Sequence, residues 1–96
     1  MTVTLCVVLW AVPGQEDALI EYEDRVLALL PKHHGRLLQR VRSIEIEQGP
    51  YEFHVIEFRD DDSFDAYMND PARTTLAHLR ERAIQRTEVV RVDPVL

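Results

Sequence analysis

The chain has 96 residues, 46% of them hydrophobic and 29% charged, with a formal net charge of −6; this predicts a soluble globular protein of one domain, residues 1–96. Acidic residues are spread along it and no basic stripe runs through it, which excludes nucleic acid and anionic membrane surfaces as partners. A lone cysteine, Cys6, excludes an internal disulfide framework.

The opening "MTVTLCVVLWAVPG" has no basic leader, and its apolar run is far short of a membrane span. A cytoplasmic location is the expectation. A domain this small buries roughly two-thirds of its unfolded surface, so any additional burial by self-association matters.

Residues 2–12 are β-branched and apolar on both parities, with Leu5, Val7 and Leu9 on one face and Cys6, Val8 and Trp10 on the other; they predict a strand, closed by Pro13-Gly14. Residues 15–30 predict a helix whose stripe is Ala18, Leu19, Tyr22, Val26, Leu29 and Leu30. Ile20 and Leu27 fall off that stripe and are placed to meet a second partner. Pro31 obstructs the helix and Gly35 suits its C′ position. Residues 36–47 and 51–59 predict two strands joined as a hairpin through "QGP". The run Asp60–Asp62 and Ser63 cap a helix carrying Phe64, Tyr67 and Met68. Asp70 caps a second segment with Pro71 at its first position, turning Leu76 and Leu79 inward. Residues 87–95 predict a fourth strand, stopped by Pro94.

The order β-α-β-β-α-β is that of an α+β, ferredoxin-like fold, a four-stranded antiparallel sheet with helices on one face. Several strands are apolar on both faces, and helices cover only one. A second copy of the same sheet is the simplest cover for the other, giving a homodimer through the sheet faces.

Two-residue and four-residue turns in the hairpin both pair residues whose numbers sum to 97, which sets Arg40 opposite Glu57, on a face with Leu38, Arg42, Phe53 and Val55. The pair reads either as a structural ion pair or as a pocket pair, with Arg40 binding an anionic or enolate oxygen and Glu57 taking a proton. His54 falls on the opposite parity with Ile56, Phe58 and Gln39. It is a core histidine or a general acid–base group. Tyr67 is a packing residue with a bonded hydroxyl or a pocket residue, and Trp10 belongs to an interface or the core. "KHHGR" lacks a metal-binding spacing, so its histidines are expected to be solvated or to cap the helix, and His78 to lie at the surface. Cys6 is expected to be a buried thiol. No phosphate loop, nucleophile elbow or Cys-x-x-Cys occurs, and no metal or cofactor is implied.

The element order, "HGRLLQR" after the first helix, and "VIEF" followed by "FDAYMNDP" resemble the dimeric α+β barrel superfamily. Within it they look most like a bacterial family of unknown function with a Gly-Gly-Arg-x-Leu-x-Arg segment and an Ile-Glu-Phe strand. His34 stands where that pattern has its first glycine. The resemblance implies a homodimer whose sheets close a barrel. It also implies a range of activities: cofactor-independent monooxygenases, lactone isomerases and haem-degrading enzymes, as well as members with none. Tyr67 stands where the monooxygenases often have histidine, and haem-degrading relatives use a tryptophan.

The expected protein is therefore a small homodimer with a pocket between sheet and helices for an apolar or aromatic molecule. The alternatives are a cofactor-independent monooxygenase or isomerase of an activated carbonyl compound, with His54 and Glu57 as catalytic groups and Arg40, Tyr67 and Trp10 as binding groups, or a structural protein without a ligand.

Overall fold

The computed structural model describes residues 2–45 and 48–95. Strands β1 (Val3–Ala11), β2 (Gly35–Arg42), β3 (Glu52–Phe58) and β4 (Ile84–Arg91) form one sheet, in the order β2-β3-β1-β4. Every neighbouring pair is antiparallel. Helix α1 (Glu16–Leu27) links β1 to β2, while α2 (Asp61–Met68), α3 (Pro71–Thr74) and α4 (Ala77–Ala83) link β3 to β4. This is the ferredoxin-like arrangement that the hydrophobic periodicity predicts.

One face of the sheet lies under the helices. Strand alternation sends Leu5 and Leu9 there from β1, and His54, Ile56 and Phe58 from β3. The core falls into two clusters. Val3, Leu5, Leu30, Phe58 and Tyr67 belong to one. Leu9, Leu19, Tyr22, Val26 and Ile84 belong to the other. Val7 packs against both. Leu27, read from the sequence as off the stripe, is buried in the first cluster rather than left for a partner.

Several boundaries differ from expectation. Helix α1 stops at Leu27, because Pro31 has no N–H to give and its ring opposes the carbonyl four residues back. The chain continues as a 3-10 turn, Leu30–His33. The left-handed residue that ends this turn is His34, with φ 55°, not Gly35. Gly35 answers a different need, since a Cβ there would lie 2.8 Å from Phe58 Cε1 and 3.0 Å from Leu30 Cδ2. The expected second helical segment is broken into α3 and α4, and β4 begins at Ile84, three residues earlier than expected, with a bulge between Ile84 and Arg86 opposite Trp10 and Ala11. The caps hold as read: Asp60 accepts from Ser63 N at 2.8 Å, and Asp70 from Ala72 N at 2.8 Å.

The hairpin register requires a correction. Arg36 pairs with Glu57 and Leu37 with Ile56, but a bulge follows, and beyond it Gln39 pairs with Val55, Arg40 with His54 and Arg42 with Glu52. The tight-turn arithmetic fails at the loop itself, where the connection is longer than a tight turn and Ser43 N donates to Tyr51 O at 2.8 Å. Arg40 and Arg42, on the loop side of the bulge, therefore already pair three residues away from the tight-turn register, and an odd displacement reverses the face each side chain takes. Ile46 and Glu47, the last two residues of the second strand expected from the sequence, lie outside the described residues.

Candidate functional site

The corrected register gathers charge beneath α1. Glu52 and His54 are two apart on β3 and therefore share the helix-covered face. Glu52 is fully buried and His54 is 1% exposed. Arg40 and Arg42 of β2 reach the same face. Arg40 Nε donates to Glu52 Oε1 at 2.7 Å, Arg42 Nε to Oε2 at 2.6 Å, and His54 Nε2 lies 2.6 Å from Oε1. Burial alone would raise the Glu52 carboxyl, but the hydrogen bonds from His54, Arg40 and Arg42 outweigh it and hold the group down at about 2. An ionised carboxylate only accepts, so His54 carries its proton on Nε2. Its Nδ1 then faces Glu23 Oε1 at 3.7 Å.

Glu23 sits on α1, between Tyr22 and the exposed Asp24, and is 6% exposed. Asp24 binds Arg40 Nη1 at 2.7 Å and tethers the helix to the strand. Burial pushes the Glu23 carboxyl up to about 7. His54 opposes this shift and the Glu52 charge adds to it. Burial and hydrogen bonding thus drive the two carboxylates flanking His54 in opposite directions, Glu23 up and Glu52 down. One is a fixed anion that orients the imidazole. The other exchanges a proton near neutral pH, the condition for general acid–base work.

Glu23 and His54 form part of the wall of a partly open cavity of about 80 Å³, between sheet and helices at the divide in the core. Leu5, Val7, Ile56 and Phe64 supply apolar walls, and Tyr22, Arg73, Arg80 and Thr87 are further polar residues of its lining. The space holds several waters or one small organic group. Tyr67 also lines it. Its hydroxyl donates to Val26 O at 3.2 Å, and burial pushes that hydroxyl up to about 12 against the opposing charge of Arg73, so it stays protonated.

Of the residues singled out from sequence, His54 and Tyr67 meet at this cavity. Arg40 lies one layer behind it, bonded to Glu52. Glu57 is on the opposite face of the sheet, where Arg36 Nη2 reaches it at 3.2 Å. Trp10 is on that face too, with the Arg86 guanidinium 4.5 Å from its ring centroid, and borders a separate recess beside Tyr51. His33 binds Asp70 at 2.6 Å, while His34 and His78 are exposed. Among the described residues no cluster of His, Cys, Asp and Glu has the geometry to hold a metal ion, and no helix is long and apolar enough to cross a membrane. Sequence reasoning missed Glu23 and Glu52. Both had a visible signal: Glu23 is four residues after Leu19 and three before Val26, on the buried stripe, and Glu52 shares the parity of His54, Ile56 and Phe58.

A family model described as "Domain of unknown function (DUF1330)" matches residues 7–94. The chain belongs to this family. No curated protein matches it. Solved structures show the same fold. A DABB-family protein with a ferredoxin-like fold from Mesorhizobium loti aligns at TM-score 0.70 and 13% identity, over 98% of this chain and 97% of its own. A Bacteroides fragilis protein, described as dimeric and ferredoxin-like, aligns at 0.74 and 15%, over 97% and 96%. A protein from Bacteroides thetaiotaomicron named as a candidate antibiotic biosynthesis monooxygenase aligns at 0.79 and 10%, over 99% and 90%. At these identities they establish the ferredoxin-like fold and not a reaction.

Proposed function

We propose that this DUF1330 protein is a cytoplasmic, single-domain homodimer that binds a small carbonyl compound between sheet and helices and moves a proton on it without a cofactor. The observation that carries the reading is Glu23, a carboxyl buried at a cavity wall, held near neutral pKa and 3.7 Å from the Nδ1 of an imidazole that Glu52 fixes from behind. Ionised Glu23 takes a proton from the carbon beside the carbonyl and leaves an enolate. It then returns the proton to a different atom of the same molecule, giving an isomer with no net gain or loss of atoms. The Tyr22 hydroxyl, kept in its donating form by burial, is available to the developing oxyanion.

The dimer reading rests on the open face of the sheet. Cys6, Val8, Trp10, Phe53 and Val55 are only partly covered there, and Val41 and Val90 are 44% and 50% exposed. A contiguous apolar face of this kind suits a second copy. The description of the Bacteroides fragilis neighbour as dimeric supports it.

The test of the chemistry is hydrogen exchange in deuterated water, followed by proton NMR, across a panel of small enolisable ketones and oxo acids. The wild type is expected to catalyse exchange for at least one of them, and Glu23→Gln to lower the rate by about 100-fold or more. Exchange equally fast in Glu23→Gln, or none with any compound, contradicts the reading.

A further inference from the structure

We infer that the mouth of this cavity is an anion subsite, in which Arg73 and Arg80 bind the carboxylate of a small organic acid. The inference rests on the acid–base reading for its location and adds the class of ligand. It starts from an imbalance of pairing. The chain has eleven lysines and arginines against seventeen aspartates and glutamates. With acids in such excess, almost every cation finds one. Among the described residues, every Lys and Arg except Arg73, Arg80 and Arg82 lies within 4 Å of a carboxylate. Two of these three exceptions stand together at the cavity.

Both arginines are held without using up their charge. The Arg73 guanidinium lies 4.6 Å from the centroid of the Tyr67 ring, a cation–π contact that orients it and leaves its donors free of any carboxylate. Arg80 donates through Nη2 to Thr87 Oγ1 at 3.3 Å, a neutral partner. Tyr22, Met68, Arg73 and Arg80 line the inner cavity and also an outer vestibule of about 220 Å³, so the two spaces share walls where the guanidinium groups sit. A planar guanidinium takes a carboxylate through two parallel hydrogen bonds. An acid whose carboxylate rests in the vestibule directs its uncharged body inward, past Val7 and Ile56, toward Glu23. The site thus sorts a molecule by its ends: anion outward, apolar and carbonyl portion inward.

The test compares two probes that differ at one end. Phenylpyruvate carries a carboxylate beside its ketone, while phenylacetone has a methyl group there. Binding of each is titrated by NMR at pH 7 to wild type, Arg73→Gln, Arg80→Gln, the double variant and Glu23→Gln, with thermal melting as a check on folding. The wild type is expected to bind phenylpyruvate about tenfold more tightly than phenylacetone. Each single variant should reduce that preference and the double variant abolish it, while Glu23→Gln keeps it. Equal affinity of the wild type for both probes overturns the subsite, as do failure of phenylpyruvate to bind at millimolar concentration and a preference that survives in the double variant. A preserved preference without hydrogen exchange would sink the acid–base reading and leave the subsite standing.

Discussion

The two faces of the sheet each hold an arginine–glutamate contact between β2 and β3, and the contacts differ in almost every consequence. On the open face Arg36 meets Glu57 at 3.2 Å with its side chain 70% exposed, where water screens the pair. Under the helices Glu52 takes Arg40, Arg42 and His54 at once while fully buried. Water is no longer an alternative partner for Glu52, so losing any one of the three leaves its buried charge less well compensated. The same dryness lifts Glu23 and separates it from Glu52. The contrast teaches that burial, more than the identity of the ion pair, decides whether a charge tunes chemistry or merely decorates a strand.

The sharpest way to break that contrast is to remove one carboxylate from each face. Glu52→Leu removes the shared partner of Arg40, Arg42 and the buried His54 and is expected to cost about 3–5 kcal/mol. Glu57→Leu is expected to cost less than about 1 kcal/mol. Urea denaturation measures both. Equal costs would mean that the covered face is wetter than described.

The next effect is in pH dependence. The folded Glu23 is raised from 4.5 to about 7, so below 4.5 both states are protonated and its contribution is fully present. As pH rises through 7 the folded state must surrender a proton it holds more tightly than the unfolded chain does, and about 3 kcal/mol is lost. Glu52, lowered to about 2, works the other way: its contribution is present above 4.5 and lost as pH falls toward 2. Urea midpoints measured from pH 3 to 9 should therefore decline toward both ends, and Glu23→Gln should remove the decline on the alkaline side.

Smaller again is the cost of tight contact. Gly35→Ala pushes a methyl to 2.8 Å from Phe58 and is expected to cost about 1–3 kcal/mol in thermal unfolding. On the open face Val90→Lys should change the stability of a subunit by no more than about 0.5 kcal/mol. It should nevertheless abolish self-association. Sedimentation at micromolar concentration is expected to give twice 11.2 kDa for the wild type and the single-chain mass for this variant. A wild-type mass near 11.2 kDa contradicts the dimer.

The contrast also marks what the sequence made legible. Strand and helix order followed from alternation and from the 3.6-residue stripe, because those patterns record burial directly. His54 was visible as an imidazole within a strand of core residues. Glu23 escaped because a stripe defined by apolar residues passes over a carboxylate that lies on it. Arg40 was set against Glu57 because Gln48-Gly49 suggests a tight turn, whereas the connection is closed by Ser43 and Tyr51 and moves Arg40 three residues along, to His54. The Gly-Gly-Arg pattern acquires two separate reasons in this chain. Its first position is left-handed, which His34 tolerates at φ 55°, and its second faces Phe58 too closely for any side chain.

The most direct test of the central claim is the titration of the Glu23 side-chain carboxyl by carbon-13 NMR, assigned with Glu23→Gln. A midpoint near 7 is predicted. A midpoint near 4.5, the ordinary value for a glutamate, would contradict the account and leave the cavity without an acid–base group poised for neutral pH.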